Sequence, residues 1–184
     1  MLSRDEAYAL LTEHITEPML LAHSLESEAV LRALAEELKQ DADLWGLTGL
    51  LHDLDYATTK DNPARHGLNA AEMLEGKLPV EALDAIRAHN CEHTGFAPSS
   101  PLDYALRCGE TVTGLIHTNA LVRPARMEGM DAKSLKKKMK DKAFAASVNR
   151  QTIAECEKLG LEPAAFFTVA IGAVAGVAGQ VGLA

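Results

Sequence analysis

Histidines carry the chemistry this chain can do. There are seven, at positions 14, 23, 52, 66, 89, 93 and 117, and one stands beside a carboxylate in His52-Asp53. That pair follows Leu50-Leu51 at the end of an apolar run. An ionised carboxylate buried there without a partner would cost several kcal/mol, so a nearby cation or an outward turn is required. Neighbouring helical residues project roughly 100° apart, so His52 and Asp53 cannot chelate from one helix face. Both can reach an ion seated at the helix end, in a cleft that other helices complete. A carboxylate with two oxygens can also bridge two ions while imidazoles terminate each. Taken alone, the dipeptide is better read as an Asp capping the next turn beside a half-buried His.

The wider pattern changes that weighing. His23 lies upstream in Leu-Leu-Ala-His-Ser, His66 comes later in Arg-His-Gly, and His89 ends Ala-Ile-Arg-Ala-His-Asn. Together, His23-Ser24, Leu50-Leu51-His52-Asp53-Leu54-Asp55-Tyr56, Pro63-Ala64-Arg65-His66-Gly67, Ala88-His89-Asn90 and Pro101-Leu102-Asp103-Tyr104-Ala105-Leu106 form an ordered set. This set resembles the HD superfamily of metal-dependent phosphohydrolases over about residues 18–160. The resemblance implies an all-helical fold with ions between helices, and hydrolysis of a nucleotide or other small phosphate ester by metal-activated water. It implies one or two divalent transition ions; imidazole with carboxylate suits iron, manganese, zinc or cobalt. By position it assigns His23, His52 and Asp53 as the first three ligands. His66 and His89 match the extra histidines of members that hold two metals. The family's closing Asp is matched here by Glu110, in Ala-Leu-Arg-Cys-Gly-Glu-Thr-Val-Thr-Gly. Glu is one methylene longer, so it ligates directly, ligates through water, or leaves a coordination position open. That departure supports a competing reading, a non-catalytic metal-binding or sensory module on the same scaffold.

Other titratable residues divide differently. Asp55, two past the pair, can orient a ligand, take a proton or simply face solvent. His93 lies four after His89, but Gly95 ends the helix, so His93 reads as a surface or loop residue. His14 and His117 read as structural. Six of the ten lysines fall between 133 and 142, which gives an acidic chain one positive lobe. A solvated helix face accounts for it, and a phosphate-attracting rim is the alternative. The stretch Lys-Lys-Lys-Met-Lys-Asp-Lys-Ala-Phe-Ala-Ala-Ser-Val-Asn-Arg is similar to the segment after the metal ligands in some HD proteins. That similarity favours the rim for Lys137, Lys140 and Arg150.

Helices must position these groups. Ser3-x-x-Glu6 is a capping box, Pro18 suits a first turn, and Asp41 or Asp43 can cap the helix that ends at His52-Asp53. Residues 56–65 read as a loop. Further helices are expected over about 66–75, 79–90, 102–121, the lysine run, 147–159 and 163–178. No segment alternates as a half-buried strand does, and aromatics are only 4%, so the fold class is all-α. With 184 residues, 47% of them hydrophobic, the chain reads as a single domain over 1–184 with its core at about 18–160. A C-terminal helix and a fraying glycine-containing tail complete it. The net charge of -8 argues against a nucleic-acid duplex as partner and leaves a small phosphorylated substrate. Cys91, Cys108 and Cys156 are too far apart for a disulfide framework and are expected as buried thiols of a cytoplasmic protein. The charged N-terminus shows no secretion signal. Residues 164–184 carry no charge, but are too rich in Ala and Gly to favour a membrane anchor.

Overall fold

A computed structural model describes all residues, 1–184. Its helices are α1 (Arg4–His14), α2 (Pro18–Leu38), α3 (Ala42–Leu51), α4 (Tyr56–Thr59), α5 (Leu68–Met73) and α6 (Val80–His89). They continue with α7 (Cys91–Thr94), α8 (Pro101–Leu121), α9 (Ala132–Lys140), α10 (Arg150–Ala154), a 3-10 turn (Glu155–Leu159) and α11 (Pro163–Val177). The fold is all-α. Local chemistry sets many of the starts. Ser3 and Glu6 close the expected capping box on α1, Pro18 occupies the first turn of α2, and Asp41 caps α3 through the amides of Asp43 and Leu44. A second capping box, Ser100 with Asp103, opens α8.

α3 is the central rod. Every residue from Trp45 to Leu51 is buried, so beyond its first turn this helix has no solvent face and is covered by α1, α2, α6 and α8. α2 lies closest, and glycine permits the approach. A Cβ on Gly49 would stand 2.7 Å from the carbonyl oxygen of Ser27 in α2, far inside contact distance. Removing that atom lets the two backbones touch, and so brings the ends carrying His23 and His52 together. The core is one cluster of 43 buried apolar residues that runs from Ala7 to Leu183.

Two expectations need correction. The segment 56–65 contains a helical turn, α4, because the carbonyl of Asp55 accepts from Thr59 through both amide and hydroxyl. The C-terminal tail does not fray. Leu183 is fully buried and its amide donates to the carbonyl of Ala178, since Gly182 at φ 74° turns the chain back onto the core. Side-chain burial thereby outweighs the entropy cost of the nearby glycines. No single helix is long and apolar enough to cross a membrane; the only candidate pair, Arg150–Leu159 with Pro163–Val177, is bent by 104°.

Candidate metal centre

Five side chains from four parts of the fold meet at the end of α3. His23 comes from α2, His52 and Asp53 from the turn that closes α3, His66 from the loop before α5, and His89 from the last turn of α6. They form two groups able to hold an ion, His23–His52–Asp53 and Asp53–His66–His89, and Asp53 belongs to both. Its Oδ1 lies 3.3 Å from His52 Nε2, 3.1 Å from His66 Nε2 and 3.5 Å from His89 Nε2. Its Oδ2 lies 3.6 Å from His23 Nε2.

Every imidazole is held by its far nitrogen. His52 Nδ1 donates to the carbonyl of Gly49 at 2.8 Å and His89 Nδ1 to that of Ile86 at 2.6 Å. His66 Nδ1 donates to Asp55 Oδ1 at 2.9 Å. His23 Nδ1 donates at 2.9 Å to the hydroxyl of Thr113, which itself donates to the carbonyl of Glu110. These bonds place a proton on each Nδ1 and leave four Nε2 lone pairs turned inward. Two such pairs nearly touch, His23 to His52 at 3.2 Å and His66 to His89 at 3.1 Å. Lone pairs that close repel unless a cation stands between or beside them. The donor set therefore fits a divalent ion in each group, with one carboxylate shared.

The electrostatics agree at His52 and Asp53 and differ at His66. Burial drives His52 down to about 3, with His23 and His89 adding to the effect, so its ring is neutral and ready to donate electrons. Burial alone would raise Asp53, but His52, His66, His89 and His23 around it hold the carboxyl well below its usual range. His66 moves the other way, up to about 10, because Asp53 and Asp55 on its two nitrogens overcome the effect of burial, so an ion bound there would have to displace the proton on His66 Nε2.

Asp55 is settled by its surroundings. Its side chain is 0% exposed, and it accepts from His66 Nδ1 and from the amides of Gly67 and Ala70. With both oxygens engaged it orients His66 and has no opening to substrate. Gly67, at φ 85°, completes this arrangement: a Cβ there would meet the carbonyl of Ile86 at 2.7 Å and the His89 ring at 2.9 Å. Asp55→Asn is expected to weaken metal binding by roughly 10–100-fold, as loss of a carboxylate behind a ligating His does. Chelator competition on the folded variant reads this; unchanged affinity would remove Asp55 from the site.

Glu110 points into the cleft. Its Oε2 is 3.8 Å from His23 Nε2, its side chain is 19% exposed, and it accepts from the hydroxyl of Thr111. Burial pushes its carboxyl above the usual value against the pull of His23. It stands beside the first group rather than within it. The cleft, of about 350 Å³, is lined also by Asn90, Glu92, His93, Ser147, Asn149 and Thr152. His93 is exposed on α7, as expected of a loop residue, yet it faces this opening.

The lysines are elsewhere. Lys137 and Lys140 are exposed on α9, and neither lines the cleft. α9 turns its one buried residue, Leu135, toward α8 and α11, which sends the charged residues to solvent. Arg150 is a staple for the chain: its guanidinium donates to the carbonyls of Asp141, Phe144, Ala145 and Val148. That shapes the turn which carries Ser147 and Asn149 to the cleft. His14 is exposed, and Cys91 is only partly buried, unlike Cys108 and Cys156.

Sequence reasoning missed Arg107. It is 2% exposed and donates to both carboxylate oxygens of Glu92 and of Glu155, and to the carbonyls of Ala88 and His89. It thus ties α8 to the end of α6 that bears His89. The available signal was a guanidinium in the otherwise apolar Tyr104-Ala105-Leu106-Arg107-Cys108-Gly109, where a buried charge demands partners.

The fold and site define a class: a helical protein with a polyhistidine–carboxylate centre able to hold divalent metal at the floor of a polar cleft. The family model for the HD domain matches residues 20–141, and the chain belongs to that family. No curated protein and no solved structure shows significant similarity to it.

Proposed function

We propose that this protein is a metal-dependent phosphohydrolase acting on a nucleotide or other small phosphate ester. The observation that supports this reading best is the sharing of Asp53 between two three-donor groups beneath an open polar cleft. His23, His52 and Asp53 would hold one divalent ion, and Asp53, His66 and His89 a second. Such ions supply a nucleophile from water at neutral pH and polarise the phosphoryl oxygen. The chain's own residues do the rest. Asp55, Thr113 and the carbonyls of Gly49 and Ile86 fix the four rings, so little reorganisation accompanies loading. Glu110 closes the His23 side of the cleft, while the hydroxyls and amides of Thr111, Ser147, Asn149 and Asn90 can bind a neutral part of the substrate. No Lys or Arg lines the cleft, so neutralising substrate charge falls to the ions and imidazoles. Lys137 and Lys140 can act on an incoming anion only at a distance, through their field.

Protein purified without chelator and loaded with manganese, cobalt, zinc or iron is expected to release inorganic phosphate from at least one phosphomonoester of a nucleotide and sugar-phosphate panel. Activity should vanish with chelator and return with metal. Tightly bound metal without turnover on any ester would instead favour the non-catalytic metal-binding reading.

A further inference from the structure

A second buried pair lies behind the metal centre. His117 of α8 is 8% exposed, and its Nδ1 stands 2.6 Å from Oε1 of Glu26 in α2, itself 1% exposed. The carboxylate keeps a proton on Nδ1 and favours the charged ring, which raises the His117 pKa. The other nitrogen, Nε2, has no partner within the protein, and both residues line a separate cavity of about 250 Å³ walled by Met19 and Leu20. That cavity shares His23 and Gly114 with the metal cleft, so the two hollows adjoin along the seam between α2 and α8.

Gly114 makes the junction. Glycine inside a helix costs about 1 kcal/mol relative to alanine. Here it leaves the groove floor bare, with only Val148 Cγ2, at 3.1 Å, near where a Cβ would sit. Along α8, Glu110, Gly114 and His117 succeed one another at helical spacing on one face, which sets His117 about 10 Å beyond Glu110. Neither hollow is lined by Lys or Arg. A further phosphate would find no lysine or arginine in this groove and a His117 charge already offset by Glu26, whereas an alcohol's oxygens would find the His117 ring.

We propose that the His117–Glu26 pair recognises the alcohol half of the substrate, a compact neutral polyhydroxy or heterocyclic group, while its single phosphate lies at the metal centre. The assignment of the phosphate end rests on the phosphohydrolase reading; the recognition pocket does not. His117 contacts the ligand, and Glu26 positions His117.

Two measurements test it. With carbon-13 in the histidine Cε1 positions, ribose and adenosine are expected to shift the His117 resonance saturably at millimolar concentrations, and inorganic phosphate is expected to leave it in place. In the metal-loaded enzyme, His117→Gln is expected to lower the ratio of kcat/KM for ribose 5-phosphate or adenosine 5′-monophosphate to that for phenyl phosphate at least tenfold. Gly114→Leu, which restores helix propensity while filling the junction, should lower the same ratio even if His117→Gln proves unstable. An unmoved His117 resonance with both alcohols, or equal losses on large and small esters in both variants, would overturn the proposal. A resonance that responds in a protein that cleaves no ester upholds the pocket and removes the phosphohydrolase reading.

Discussion

Asp53→Ala is expected to strip the protein of transition metal and, with it, of the proposed phosphoester hydrolysis. Among the five core donors Asp53 is the only anion, and it stands within 3.1–3.6 Å of all four Nε2 atoms. Removing it leaves only imidazoles in the two donor groups, and neither group retains three members. Metal content after dialysis should fall below about a tenth of the wild-type value, since a site reduced to two neutral donors binds far less tightly. Elemental analysis beside His14→Ala, which alters an exposed histidine outside both donor groups, separates loss of a ligand from a general effect. Retained metal and turnover in Asp53→Ala would dismantle the site as drawn.

Arg107→Ala is expected to destabilise the fold by about 3 kcal/mol, since it leaves buried acceptors without their donor and removes the charge that two carboxylates face. Glu92 and Glu155 keep access to water, at 49% and 23% side-chain exposure, so their loss is softened by hydration. The carbonyl of Ala88 keeps the capping amide of Asn90, so the loss falls mainly on that of His89. For a chain of this size the loss corresponds to a melting temperature lower by roughly 6–12 °C. Arg107→Lys should recover less than half, because a point charge cannot reproduce a planar fork. A change under about 2 °C for the alanine variant would show that the clamp is replaceable by water.

Much of the site was legible because its members carry strong chemical signals in strict order. His23, His52-Asp53, His66 and His89 were each recognisable by type and by apolar context, and helical periodicity with caps at Ser3, Pro18 and Asp41 placed them on or beside helices. What sequence could not supply was direction. Lys137 and Lys140 lie near the cleft along the chain, but the burial of Leu135 decides which way α9 faces, and that depends on contacts with distant α8 and α11. The role of Asp55 depends on a loop that folds back to present His66 and two amides, and that of His117 on a partner ninety-one positions earlier. Composition misjudged the tail for a related reason. Its glycines weaken local helix, yet a single turn suffices to bring Val181 and Leu183 into the core.

The donors of the metal centre are gathered from widely separated stretches of chain, and that separation has a thermodynamic consequence. Apart from adjacent His52 and Asp53, an unfolded chain presents no two of them together, and closing the long loops between them carries an entropic cost. The disordered state is thus a poor competitor for the ion. Under such conditions each tenfold excess of free metal over its dissociation constant adds about 1.4 kcal/mol to the stability of the native state. A bound ion would act as a removable cross-link joining α2, the end of α3, the loop before α5 and α6, so metal supply would set the stability of the native state.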